Sequence, residues 1–178
     1  MIHLVLGGAR SGKSSYAEKT AIELAFSHQY RLHYVATAIA FDKEMQARIA
    51  LHQAQRESSW TLHECSLALN EVLAKFGRHD LVLVDCLTVW LNNVLFELGD
   101  EASSHEIEQW VDELVNALTN CKAHLFLVSN EVGLGVIPMG QVTRKFVDHA
   151  GWMNQKIARL ADKVTFVAAG LPISMKSE

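Results

Sequence analysis

No stretch of this chain approaches the ~18 consecutive apolar residues that a membrane-spanning helix needs. The opening "MIHLVLGG" has no basic segment, and its apolar run is too short for a signal peptide. A soluble, cytoplasmic protein without a membrane partner is therefore expected. Basic charge is not in excess: 16 Lys and Arg against 20 Asp and Glu leave a formal net charge of −4. That balance offers no general attraction for polyanions and argues against nucleic acid as a partner, so any phosphate binding must come from a local site. Proline is scarce, with only Pro138 and Pro172, both expected in loops. Cysteine is scarce too. Cys65, Cys86 and Cys121 are odd in number and far apart, which fits reduced thiols better than a disulfide frame or a zinc site, and they are assigned no catalytic role.

What is present is apolar: 49% of the 178 residues are hydrophobic, enough for one globular domain with a real core, taken as a single P-loop nucleotide-binding transferase domain over 1–178. Short β-rich runs alternate with longer amphipathic stretches. In order they are "IHLVL" with a helix over 13–27, "LHYVAT" with 42–56, "DLVLVD" with 87–98 and 104–121, "HLFLVSN" with 141–161, and a last strand "VTFVAAG". Strands that are apolar almost throughout belong in a sheet covered on both faces, so the expected fold is α/β, a P-loop NTPase-type three-layer architecture with a mostly parallel central sheet flanked by helices. The stretch "GDEASSHE" reads as a loop ending in a helix cap.

The first loop carries the strongest chemical signal. Gly7, Gly12, Lys13 and Ser14 match G-x-x-x-x-G-K-[ST] at full spacing, with a strand before and a helix after. Glycines allow a tight turn whose consecutive N–H groups face an anion, and the helix adds its positive N-terminal end. Lys13 is placed to reach the β- and γ-phosphates, and the Ser14 hydroxyl to hold Mg²⁺. A P-loop site also needs an acidic residue at the end of a neighbouring strand, and "DLVLVDC" supplies Asp85 for the metal; a helix-capping role for the same carboxylate is the other reading. Glu64 in "LHEC" lies between two expected strands, where a carboxylate is usually solvated.

A P-loop serves switches, motors, kinases and nucleotidyl transferases alike. The chain has no N-K-x-D guanine-reading motif of a regulatory GTPase and no basic track for a nucleic-acid motor. A compact transferase acting on a small molecule is left. A second stretch, "FDKEMQARIALHQAQRE", adds to this. At ~100° per residue Met45, Arg48, His52 and Arg56 share about 80° of a helix face, so an imidazole stands between guanidiniums at i−4 and i+4. Two cations disfavour the imidazolium and keep His52 neutral as a nucleophile, while the arginines can grip phosphate oxygens. The alternative is a surface helix in which Arg48 pairs with Glu44 and His52 merely packs.

Taken together, "GGARSGKS", "YVATA", "DKEMQARIALHQAQR", "VDCLTVWLNN" and "VSNEVGLGVIP" resemble the bifunctional adenosylcobinamide kinase / adenosylcobinamide-phosphate guanylyltransferase of cobalamin biosynthesis, over nearly the whole chain and in order. The resemblance implies two reactions. A nucleoside triphosphate, ATP or GTP, phosphorylates the aminopropanol hydroxyl of adenosylcobinamide. GTP then transfers GMP to an enzyme histidine with loss of pyrophosphate, and the cobinamide phosphate takes the GMP to give adenosylcobinamide-GDP. The family's guanylylated histidine falls on His52, and covalent catalysis divides one displacement into two. Carried over in the same way, Gly7, Gly8, Ala9, Arg10, Ser11, Gly12, Lys13, Ser14, Thr37, Ala38, Ile39, Glu64 and Asp85 line the nucleotide site, with Arg48, Gln53 and Arg56 from the histidine's own helix. The resemblance also implies a homo-oligomer, a trimer. The chain departs from the family pattern at Leu51, where some relatives have a second histidine, and at Trp152, where they have arginine.

Asn130 and Glu131 close the strand "HLFLVSN", where open α/β sheets place their ligand crevice, so they are candidates for touching the corrinoid or the metal; helix capping is the alternative. His33 and His63 fit strand or loop positions without chemistry. Two rival functions remain open on sequence alone: a monofunctional P-loop small-molecule kinase, in which His52 has no covalent role, and a non-catalytic nucleotide-dependent binding module.

Overall fold

The structure, a computed structural model, describes residues 1–38, 59–136 and 138–177. The expected 42–56 helix, with Arg48, His52, Gln53 and Arg56, and Ile39 before it, lies outside the described residues.

Among the described residues seven strands form one sheet: β1 Ile2–Gly7, β2 Arg31–Ala36, β3 Thr61–Glu64, β4 Asp80–Asp85, β5 His124–Asn130, β6 Lys163–Ala168 and β7 Leu171–Lys176. Their spatial order is β3-β2-β4-β5-β1-β6-β7. All neighbours pair parallel except β6 and β7, which pair antiparallel. The described helices are α1 Lys13–His28, α2 Leu69–Leu73, α3 Leu87–Leu98, α4 Ser104–Asn120 and α5 Gln141–Leu160. The expected α/β sandwich is what forms, with β1 in the interior between β5 and β6.

Alternation along the strands builds two cores. Val5, Leu81, Leu83, Phe126 and Val128 pack on one face with Ala17, Ala21 and Ala25 of α1, whose spacing of four sets small side chains along one stripe and lets the helix lie close to the sheet. Leu4, Leu6, Val82, Val84, Leu125 and Leu127 point the other way, into a larger cluster with Leu69, Trp90, Ile107, Leu114 and Met153 from the other helices. Trp90 is 2% exposed and satisfies its indole N–H on the carbonyl of Leu67 at 2.8 Å.

The loop before α4 ends in the expected cap. Ser103 Oγ accepts from the Glu106 N–H at 3.3 Å, and the Glu106 carboxylate accepts from the Ser103 N–H at 2.8 Å. This reciprocal box satisfies donors that the first helical turn cannot. Ser103→Ala should lower unfolding free energy by about 1 kcal/mol, read as a shifted urea midpoint at unchanged slope; an unmoved midpoint would show that water replaces the cap.

Three expectations change. Glu64 is not between strands but ends β3, the outermost strand on its side, and is exposed. A further strand, β7, follows the one expected to be last, so Pro172 is a strand residue, facing Val167 across the pair, and not a loop residue. Proline is tolerated there because β7 is an edge, where one row of N–H groups has no strand to bond. The third concerns Asp85: β4 does not adjoin β1, because β5 runs between them. No helix among the described residues is long and apolar enough to cross a membrane.

Candidate active site

The P-loop spans the gap from Gly7, the last residue of β1, to Lys13, the first of α1. Its shape needs glycine at both ends. A Cβ on Gly7 would stand 2.5 Å from both Val167 O and Ser11 Oγ. Gly12 has φ 92°, a left-handed conformation, and a Cβ there would stand 3.1 Å from Gly170 Cα. The neighbour at both ends is the β6–β7 hairpin, whose turn residues Ala169 and Gly170 also have positive φ. Gly170 N–H donates to Ser11 O at 2.8 Å, so a hairpin that the sequence reading did not contain buttresses the phosphate loop.

Within the loop, Ser11 N–H donates to Gly8 O at 3.3 Å, and Ala9 and Arg10 are exposed at its crest. Lys13 is 9% exposed, and its ammonium donates to Gly8 O at 3.2 Å, folded back over the loop. Ser14 follows in the first turn of α1, half-buried.

Asp85 ends β4 on the α1 side of the sheet. Its Oδ2 accepts from the Tyr34 hydroxyl at 2.9 Å, and Tyr34 belongs to the α1-side core. From β1 to β4 is two strand spacings, about 10 Å at ~4.8 Å each, which leaves room above β5 for phosphates and a hydrated cation between the loop and the carboxylate. A hydroxyl and one carboxylate are the hard oxygen donors that Mg²⁺ takes alongside waters and phosphates. Among the described residues no group of three or more His, Cys, Asp or Glu could hold a metal by itself.

Of the other carried-over residues, Thr37, Ala38 and Glu64 lie along the same edge. Thr37 follows β2 and is fully buried. Its hydroxyl donates to Cys86 O and accepts from Cys86 N–H, both at 2.8 Å, its N–H donates to Asp85 O at 3.2 Å, and its carbonyl accepts from Asn93 Nδ2 at 2.9 Å. Thr37 thus welds the end of β2 to the end of β4. Asn93, which sequence reasoning passed over, also donates to Ser66 O at 3.0 Å, so one buried amide on α3 ties the exits of β2 and β3 together. Glu64 closes β3 on the same edge, four strand spacings from β1, about 19 Å at ~4.8 Å each; it can meet only the far end of a ligand anchored at the P-loop.

Cys86 lies 8% exposed beside Asp85. Burial, reinforced by the neighbouring carboxylate, pushes its thiol up to about 12, so it stays protonated and is no nucleophile. All three cysteines are free. His33 and His63 are on β2 and β3; His33 Nδ1 lies 3.1 Å from His63 Nε2, and its Nε2 3.3 Å from Asp80 Oδ1 at the opposite, amino edge of β4. Burial first, then His33 and Lys75, lowers the pKa of His63. Glu131 turns into its own loop, its Oε1 accepting from Gly133 N–H at 3.1 Å.

Comparison with known proteins agrees in class. The family model described as cobinamide kinase / cobinamide phosphate guanyltransferase matches residues 3–175. A Pseudomonas aeruginosa protein named bifunctional adenosylcobalamin biosynthesis protein CobP is 45% identical, covering 100% of this chain and 99% of its own. A Salmonella typhimurium protein named bifunctional adenosylcobalamin biosynthesis protein CobU is 36% identical over 99% of this chain and 100% of its own. Among solved structures, an ATPase domain matches with a TM-score of 0.55 at 14% identity, over 93% of this chain and 68% of that chain, a likeness of fold alone.

Proposed function

Because the chain belongs to the cobinamide kinase / cobinamide phosphate guanyltransferase family, we propose that one P-loop site serves both reactions, phosphorylating adenosylcobinamide and guanylylating the product through His52. The observation that supports it is the complete loop, closed by Gly7 and Gly12 against the hairpin and carrying Lys13 at its back. Its N–H groups and the start of α1 bind a triphosphate, and Lys13 offsets charge on the β- and γ-phosphates.

In the kinase reaction the aminopropanol hydroxyl attacks the γ-phosphorus; a P–O bond forms, the bond from γ-phosphorus to the bridging oxygen breaks, and the hydroxyl proton is released. In the guanylyl transfer a ring nitrogen of His52 attacks the α-phosphorus of GTP and pyrophosphate leaves. An oxygen of the cobinamide phosphate then attacks the same phosphorus and the P–N bond breaks, restoring the imidazole. Arg48, Gln53 and Arg56 accompany His52, while Ile39, Ala38 and Glu64 line the nucleoside end. Mg²⁺ bound with the nucleotide supplies charge neutralisation on the phosphates; Ser14 and Asp85 are the residues that would hold it. The protein works in the cytoplasm as a single-domain subunit of a homo-oligomer, a trimer, without nucleic acid.

Incubation with α-labelled GTP tests the two-reaction reading: acid-labile label on the protein is expected, and its absence in a protein that still phosphorylates adenosylcobinamide would leave a monofunctional kinase. Sustained, corrinoid-dependent turnover excludes a mere binding module. Asp85→Asn should raise the Mg²⁺ concentration needed for half-maximal rate about tenfold or more in both reactions, since a charged oxygen ligand becomes neutral. An unchanged Mg²⁺ titration would return Asp85 to a structural role, holding Tyr34.

A further inference from the structure

We propose that Asn130 is a catalytic residue of the phosphoryl-transfer step, its carboxamide contacting the transferring phosphate in the gap between the P-loop and Asp85, and that Thr88, Ser129 and Asn154 are positioning residues for it. This rests on the reading of the P-loop as the triphosphate site.

The placement follows from topology. β5 is the strand between the P-loop strand and the Asp85 strand. Asn130 is level with Gly7 on one side, and Val128 is level with Asp85 on the other. Asn130 therefore stands two residues, about 6.6 Å at ~3.3 Å each, beyond Asp85 toward the open edge. Its face follows from alternation. Phe126 and Val128 belong to the α1-side core, whereas Leu125 and Leu127 belong to the opposite one and Ser129 bonds residues of α3 and α5. Period two puts the Asn130 side chain on the α1 side, the side of Asp85 and Lys13.

Its backbone is held from the other face. Asn130 N–H donates to Thr88 Oγ1 at 2.6 Å, and its carbonyl accepts from Asn154 Nδ2 at 3.1 Å. Ser129 Oγ lies 3.0 Å from Thr88 Oγ1 and donates to Asn154 Oδ1 at 2.7 Å. All three supporting side chains, Thr88, Ser129 and Asn154, are buried, with 4%, 0% and 4% exposure. A strand end at an open edge could be satisfied by water; here two helices each contribute a buried polar side chain, one to the N–H and one to the carbonyl of Asn130, which fixes the backbone that carries the carboxamide. Against this, the Asn130 side chain itself has its Oδ1 buried with no hydrogen-bond partner among the described residues. Rotation of the carboxamide exchanges Oδ1 and Nδ2, so the same group offers either an acceptor to an attacking hydroxyl or a donor to a phosphate oxygen. A neutral donor held rigidly where charge develops stabilises the transition state more than the ground state.

The test uses the purified full chain with GTP, Mg²⁺ and adenosylcobinamide. Asn130→Ala should lower kcat for phosphoryl transfer about 100-fold, leave KM for GTP within about threefold, and leave protein labelling by α-labelled GTP within about threefold. Thr88→Val, which removes the hydroxyl at constant shape, should lower the same kcat about tenfold alone and add little in the Asn130→Ala background, because its effect passes through Asn130. If the wild type neither phosphorylates nor takes label, the P-loop reading itself fails. With an active wild type, three results overturn the proposal: Asn130→Ala phosphorylation within threefold of wild type, equal loss of phosphorylation and labelling, or a Thr88→Val loss that multiplies in full with that of Asn130→Ala.

Discussion

Lys13→Ala abolishes both phosphoryl transfer to adenosylcobinamide and guanylylation of the protein, by at least about 10³-fold in each. Both reactions draw on a triphosphate, and this ammonium is the buried cation of the loop that would hold it, whereas Arg10 is exposed at the crest. It is 9% exposed and already donates to Gly8 O at 3.2 Å, so little ordering is needed to move it from a loop carbonyl to a phosphate oxygen. Alanine removes the charge and leaves that carbonyl only its bond from Ser11 N–H, while α1 keeps a good helix former at its first position. Steady-state assays of the two reactions on one preparation check this. Survival of either at near wild-type rate would mean two separate nucleotide sites and would overturn the single-site reading.

His52→Ala separates the two activities. Covalent GMP labelling and guanylyl transfer should both vanish, because the P–N intermediate has lost its nitrogen, while phosphorylation of adenosylcobinamide should persist within about tenfold of wild type. Phosphoryl transfer to an alcohol is direct and needs positioning and charge rather than a protein nucleophile. Labelled His52→Ala protein would refute the assignment. Equal loss of both reactions would place His52 in binding or folding.

The chemistry of the P-loop was legible because it is local. G-x-x-x-x-G-K-[ST] after an apolar strand names the loop, its lysine and its hydroxyl from consecutive residues, and the helix indeed begins at Lys13. A helix cap within 99–106 was legible for the same reason, and the structure makes Ser103 and Glu106 its pair. Glu131 shows the limit: its place at a strand's carboxyl end was visible, but whether it faced a ligand or its own loop depended on a backbone turn that brings Gly133 N–H within 3.1 Å.

By itself, then, the sequence determined the types of most described elements, though not β3, α2 or β7, together with the alternation of strand and helix, the phosphate loop and the family, since periodicity and motif spacing are properties of neighbours along the chain. Tertiary structure alone decided the strand order, and with it that Asp85 stands two strands from Gly7 with Asn130 between them. It also decided that Leu171–Lys176 adds an edge strand whose turn props the loop through Gly170, and that Thr88 and Asn154, far apart in the chain, meet on one residue of β5. Strands pair through backbone groups that are the same in nearly every residue, so side-chain pattern marks which segments pair but not which neighbours they choose. That choice is made by the packing of helices on the two faces.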